Sequence, residues 1–532
     1  MAGNRGVRDT GRMTRRLWVW LLVAACAALA LRASRLGLRP MHNDEAVNAA
    51  IFRQLWETGR YEYDPRQFHG PTLYYVTLPA VWLSGARTYA ELSETTLRAV
   101  PVALGVGIVL LVGLMHDGLG KRAAAVAASA LAVSPGMVFY SRYFIHETLL
   151  VFFTALVLGA GWRWAQSRRL AWAIVCGACC GLMACTKETF VISLAGMCVA
   201  AMCAARRLPP CDDRDTARNA LHCAAAIATG AIVTIAFYSS FFTNLGGVPD
   251  AIRALGFWAW HAGTQTPHIH PWYFYFERLF WFPTTQKVAW TEAAIGVLAA
   301  VGTGAGLAGK WLGPVNPRLA QFLSIYTWTV TAVYALIPYK TPWCALSFLH
   351  GMALLAGIGV AALCEFFKGR AARLALGTVL LAAAAHLLWQ CWNLNFNYFA
   401  HRRNPYAYAQ TSPDILRLAD TLERLRRAAP GGSNIMIKVM APDHDYWPLP
   451  WYLRAFQQVG WWDAIPDDPF APVMIISHKL NAAFDEKTDR AWRMVGIYEL
   501  RPGVFFELYV HAELWESYVA TMAQHQDHLE SR

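Results

Sequence analysis

Long apolar runs divided by short basic clusters recur from Leu17 to Trp392, and this alternation limits what the chain can fold into more than any other feature. A helix needs about 20 apolar residues to cross a hydrocarbon core about 30 Å thick. Runs that meet this need lie near 17–33, 98–116, 123–141, 148–165, 171–186, 189–205, 220–242, 290–308, 319–338, 343–366 and 372–392. They predict a polytopic α-helical membrane protein with about 11 transmembrane helices. The stretch Ala171–Ala205 is too long for one of them, because a single helix there would extend roughly 50 Å at about 1.5 Å per residue. It must be two spans that turn at "CTKETF", which holds Lys187 and Glu188 at a membrane face.

The chain is 56% hydrophobic and 15% charged, with a formal net charge of +12. That charge is not the footprint of a nucleic-acid partner. It falls in loops between apolar runs, at Lys121 and Arg122, Arg168 and Arg169, Arg206 and Arg207, and Lys368, Arg370 and Arg373, as cytoplasmic loops require. Arg5, Arg8, Arg12, Arg15 and Arg16 precede the first run, so the N-terminus is expected in the cytoplasm of a multi-pass inner-membrane protein. Cleavage as a signal peptide is the alternative, since "ALALRAS" offers small residues, but the following sequence leads into more membrane protein, and retention as an anchor is simpler. Most of the 12 cysteines fall inside spans, where the Cys176–Cys180 run suits a small-residue packing face better than a metal site.

This orientation places the loop 34–97, "SRYFIHET", "CTKETF", "FFTNLGG" through "FWFPTTQK", "PYKTPWC" and everything after Asn393 outside. The transmembrane domain is then 1–392, and 393–532 forms an extracytoplasmic α/β domain in which helical periodicity alternates with short β-rich runs. Within 34–97 a helix opens at Asp44 or Glu45 and closes at Gly59. Thr72–Ser84 is too short to span and reads as an interfacial helix.

The loop begins with "HNDEA", His42 to Ala46. Acidic residues suit a helix N-terminus, but a cap needs one of them, not four polar residues in a row. A carboxylate at the bilayer surface also serves as a general base toward an attacking hydroxyl, an effect of roughly 10²- to 10⁴-fold. Arg142 and Lys187 offer fixed cations to a lipid-linked phosphate, although Arg142 with Glu147 also reads as a structural pair. Tyr339, Lys340 and Trp343 of "PYKTPWC" lie at an outer helix end, where Lys340 reads equally as a snorkelling anchor or a phosphate ligand. The loop holding His261, His268 and His270 is dense in aromatics and reads as an interfacial belt rather than a zinc site. "DHDYWPLPWYLR", from Asp443, reads as a loop that covers the membrane site or receives the acceptor, or as a packed turn.

The acidic pair after the first span, then "FHGPTLYY", "SRYFIHE" and the Lys of "TKE", resembles the GT-C glycosyltransferases that use polyprenyl-phosphate sugars, in particular the protein O-mannosyltransferase-like family 39. Together with "PYKTPW" and "WPLPWYLR" the set is similar to the flippase-activity-associated subfamily of archaeal N-glycosylation. The resemblance implies that Asp44 is the catalytic base with Glu45 its companion and Glu147 the second-loop acid, and that His69, Arg142 and Lys187 meet the donor phosphate or substrate. Gly70 departs from it, standing where the family's His-Pro-Pro-Leu turn has its first Pro.

The expected function is transfer of a sugar from a polyprenyl-phosphate donor to a hydroxyl on an acceptor glycan, lipid or protein at the outer face. The alternative is a non-catalytic protein that assists flipping of lipid-linked sugars. No nucleotide fingerprint is present, no cofactor is certain, and a divalent cation near Asp44 and Glu45 stays open, because two carboxylates do not define a site.

Overall fold

Between the first two long apolar runs after the external loop, the chain turns at Gly120, whose φ of 75° breaks the helical path just before Lys121 and Arg122. A side chain at this left-handed position would be strained, and a Cβ would also press within 2.9 Å of Pro314. The computed structural model describes residues 13–66, 69–205, 213–261, 268–283, 289–429 and 431–530. The basic pair Arg206 and Arg207 and the side chain of His261 lie outside the described part.

The helices run α1 (Arg15–Ala33), α2 (Asn43–Thr58), α3 (Thr72–Ser84), α4 (Glu94–Leu111), α5 (His116–Val133), α6 (Pro135–Tyr140), α7 (Glu147–Ser167), α8 (Leu170–Ala184), α9 (Phe190–Ala205), α10 (Asp213–Tyr238), α11 (Gly247–His261), α12 (Phe274–Phe280), α13 (Ala293–Ala308), α14 (Pro317–Leu336), α15 (Leu346–Phe366) and α16 (Arg370–Trp392). A two-residue antiparallel pair, β1 (Phe282–Pro283) with β2 (Ala289–Trp290), precedes α13. Among the described residues, seven helical stretches are long and apolar enough to cross a membrane by length and composition, one of them the 40-residue Glu94–Val133 that holds the Gly120 turn. Shorter apolar helices cover Leu170–Ala184, Phe190–Ala204 and Ala293–Ala308. Every run expected to span is therefore helical, and Ala171–Ala205 divides at Cys185–Thr189 into α8 and α9.

The chain packs as two compact units. The first comprises Met1–Leu36, Gln54–Ala80 and Arg98–Tyr408. Its centre is α15, buried on all sides from Leu346 to Ala362 and packed by α13, α5 and α14. The Cys176–Cys180 run behaves as a packing face: Gly177 and Gly181 bring α8 so close to α10 that a Cβ on Gly177 would stand 2.0 Å from the Ala226 carbonyl.

The second unit comprises Gly37–Arg53, Val81–Leu97 and Ala409–Arg532. The first half of α2, which carries "HNDEA", thus packs with the C-terminal segment. That segment contains α17 (Asp414–Ala428), β3 (Met436–Met440), α18 (Leu449–Tyr452), β4 (Gln458–Trp462), β5 (Val473–Ser477), α19 (Phe484–Lys487), β6 (Trp492–Arg501), β7 (Val504–His511) and α20 (Ala512–Glu530). The sheet order is β4-β3-β5-β7-β6, with β4, β3 and β5 parallel and β7 antiparallel to β5 and β6. Ile415, Leu418, Leu422 and Leu425 recur on one face of α17 and pack with Ile437, Val439, Val473 and Ile475 of the sheet. This is an α/β domain with its own core.

Candidate active site

The polar residues of "HNDEA" divide their work. His42 Nδ1 accepts from the Asp44 amide at 3.2 Å, and Glu45 Oε2 accepts from the His42 amide at 2.9 Å. These are the two halves of a capping box, with His42 in the place of the usual Ser or Thr and Glu45 three residues on. His42 and Glu45 are accordingly buried, at 3% and 0% exposure. The Asp44 side chain is 49% exposed and stands 3.9 Å from the His42 ring. Capping, the alternative to catalysis at this motif, is therefore met by His42 and Glu45. Glu45, expected as the companion of Asp44, gives one carboxylate oxygen to the helix start. No group of three or more His, Cys, Asp or Glu side chains among the described residues is placed to hold a metal ion.

The first unit brings a second set of site residues together. His69 Nδ1 lies 2.8 Å from Glu188 Oε2, and Tyr63 donates to the other carboxylate oxygen at 3.3 Å. Burial by itself would raise the Glu188 pKa, but His69 at this distance holds it below the ordinary carboxylate range. Lys187, one residue before, pairs with Glu147. Burial works against the charge of Lys187, and Glu147 outweighs it, leaving the ammonium harder to deprotonate than a free lysine. His146 packs edge-on to His69 at 5.3 Å and reaches the Gly70 carbonyl through Nε2 at 3.1 Å. Burial drives its pKa well below the usual value, so His146 is a neutral donor. Two adjacent pairs in sequence, His146-Glu147 and Lys187-Glu188, thus meet around His69.

The "HGP" turn is fixed against the α8–α9 turn. The Gly70 amide donates to the Thr186 carbonyl at 3.2 Å, and Thr72 donates twice to the Cys185 carbonyl. A Cβ on Gly70 would sit 2.1 Å from that carbonyl oxygen, which explains why glycine replaces the first Pro of the motif. His146 and Glu188 were not singled out in the sequence for this site. Their only signal is adjacency to Glu147 and Lys187 in two loops expected on the same side.

Two cations sit differently from expectation. Arg142 meets the backbone instead of the Glu147 of the weighed structural pair: its Nη1 donates to the carbonyls of Leu31, Arg32 and Ser34 and its Nη2 to that of Arg35, while its guanidinium lies over Phe396. It satisfies the free carbonyls at the end of α1, a polar need that a helix terminus always presents. Lys340 does not snorkel. It is 1% exposed, donates to the carbonyls of His270 and Ile337, and burial lowers its pKa. Trp343 packs near Tyr140 and Tyr408, and Tyr339 lies edge-on to His268 at 5.1 Å. His268 Nδ1 and His270 Nε2 both meet the Tyr408 hydroxyl, at 2.8 and 3.1 Å. Exposed Trp260, Trp272 and Trp281 agree with an aromatic belt in this region.

An apolar groove of about 620 Å³ runs along α8, α9, α10 and α11. It is lined from Cys176 and Ala226 up to Tyr238 and Glu188, so one end reaches the ionisable cluster.

A family model described as dolichyl-phosphate-mannose-protein mannosyltransferase matches residues 87–210. A search of curated protein sequences finds no match. Among solved structures, apo ArnT from Cupriavidus metallidurans is similar with a TM-score of 0.63 at 15% identity, covering 94% of this chain and 99% of that one. The same protein bound to undecaprenyl phosphate gives 0.62 at 15% identity, with 93% and 99% covered. The apo oligosaccharyltransferase of Archaeoglobus fulgidus gives 0.55 at 15% identity, with 85% of this chain and 65% of that one covered, so this chain spans about two thirds of its length. This polytopic protein therefore shares the fold of ArnT and of the archaeal oligosaccharyltransferase.

Proposed function

We propose that the protein is a membrane glycosyltransferase that moves a sugar from a polyprenyl-phosphate donor to an acceptor hydroxyl at the extracytoplasmic face. The observation that carries this reading is the groove: an almost wholly apolar cleft whose end is lined by Glu188, the partner of His69 and the neighbour of Lys187 in sequence. That is the shape of an amphiphile with a long hydrocarbon tail and a charged head, and a prenyl chain, already in lipid, would be held there by packing rather than by release from water. A solved relative of the same fold is described as bound to undecaprenyl phosphate, which supports the same class of ligand here.

In this reading Lys187 and His69 meet the donor phosphate. Asp44 takes the proton of the acceptor hydroxyl as that oxygen bonds to the anomeric carbon, and the bond from that carbon to the phosphate oxygen breaks. Polyprenyl phosphate leaves with the electron pair. A phosphate leaving group needs no strong acid, so positioning and a base suffice. Arg142 and Glu45 hold the scaffold. The test is an assay of purified protein with a panel of radiolabelled polyprenyl-phosphate sugars, read as free polyprenyl phosphate. Release with one donor supports the reading. Lipid scrambling in liposomes without any release would replace it with assisted flipping.

A further inference from the structure

We infer that the C-terminal α/β domain is a positioning part of the catalytic apparatus, with Arg501 and Tyr452 fixing the helix turn that carries Asp44. The inference rests on Asp44 being the base. It goes further in giving the C-terminal segment a task in each turnover.

The residues on both sides of His42 are fastened to the C-terminal segment within the second unit. Before it, the Met41 amide donates to the Tyr452 hydroxyl at 2.9 Å, and Thr411 donates to the Met41 carbonyl at 2.7 Å. After it, the Asn43 amide, oriented to suit its neighbours, donates to the Trp447 carbonyl at 2.8 Å and accepts from Arg501 Nη1 at 3.0 Å. Arg501 Nη1 also donates to the Trp447 carbonyl at 2.9 Å, and its other end pairs with Asp445. Met41 and Thr411 are fully buried, and the Arg501 side chain is 15% exposed. With the His42–Glu45 box between these ties, Met41, His42, Asn43 and Glu45 all hold the turn, while the Asp44 carboxylate stays half-exposed, 3.9 Å from the His42 ring.

This arrangement resists the one motion that would harm a general base, a small displacement of its carboxylate. A misplacement of about 1 Å costs on the order of a hundredfold in rate. The planar fork of Arg501 serves here because it reaches Asn43, Trp447 and Asp445 at once in a fixed plane, whereas an ammonium is a point charge on a flexible stem. Asp445 and Trp447 of the stretch Asp443–Arg454, read in the sequence as covering the site, receiving the acceptor or forming a packed turn, are thereby joined through Arg501 to the residue next to Asp44.

The test compares Arg501→Ala, Arg501→Lys and Tyr452→Phe with Asp44→Asn in the full-length purified protein. Tyr452→Phe removes one hydroxyl and keeps the ring, so it preserves the packing that a larger change removes. Expected is a fall in kcat of roughly tenfold to a hundredfold for Arg501→Ala, a smaller fall for Tyr452→Phe, partial recovery in Arg501→Lys, and a donor KM within about twofold of wild type. The inference is overturned if Arg501→Ala and Tyr452→Phe keep wild-type kcat, or if the fall in kcat equals the fraction of protein lost to unfolding, so that the folded fraction turns over at the wild-type rate. If Asp44→Asn is itself fully active, the reading of the base falls, and this inference with it. Loss in Asp44→Asn alone overturns only the inference.

Discussion

Glu188 holds His69 by one edge: 2.8 Å separates its Oε2 from Nδ1, and the acid is 8% exposed while the imidazole is 28% exposed. A buried carboxylate thus orients a partly open ring beside Lys187 and the end of the apolar groove. A charge-assisted bond of this kind contributes about 1.5–3 kcal/mol. Glu188→Gln should therefore raise the donor KM by roughly tenfold or more, with a smaller effect on kcat, as measured from initial rates across donor concentration.

The same pair sets an acid limit. The folded-state pKa of Glu188 lies below its unfolded value, so its contribution to stability is complete above the ordinary carboxylate range and is lost as pH falls through the depressed value. Thermal unfolding in detergent should show a steeper acid loss in wild type than in Glu188→Gln. Parallel curves would mean that the pair carries no linked stability.

Gly70→Ala should destabilise the first unit by about 1–3 kcal/mol, because its Cβ has no room before the Cys185 carbonyl. Since His69 is the neighbouring residue, donor KM should rise as well. Thermal unfolding together with KM checks both effects, and a stable, fully active variant would show that the turn yields.

Arg142→Lys tests the corrected role of that cation. A lysine cannot serve four carbonyls spread from Leu31 to Arg35. The expected result is a loss of stability of about 3 kcal/mol with the donor KM of the remaining folded protein unchanged. A selective rise in donor KM at wild-type stability would return Arg142 to the phosphate.

The membrane architecture was legible because it depends on local pattern. Apolar length gave the helices, the length of Ala171–Ala205 required the division that appears at Cys185–Thr189, and the bounds of α2 and α3 followed from their caps and glycines. The site was legible in composition but not in allocation. Which of four adjacent polar residues caps α2 is decided by backbone geometry, and the structure gives that work to His42 and Glu45. The use of Arg142 depends on the end of a helix more than 100 residues earlier, and the partner of Glu188 lies 119 residues away. Charges in such a chain find partners that no local spacing announces.

The most direct measurement is release of polyprenyl phosphate by Asp44→Asn against Glu45→Gln, both shown to be folded. The account predicts that Asp44→Asn loses about 10²-fold or more of kcat, whereas Glu45→Gln loses stability and retains most of the rate of its folded fraction. Full activity in Asp44→Asn, or equal loss of rate in the two, would contradict it.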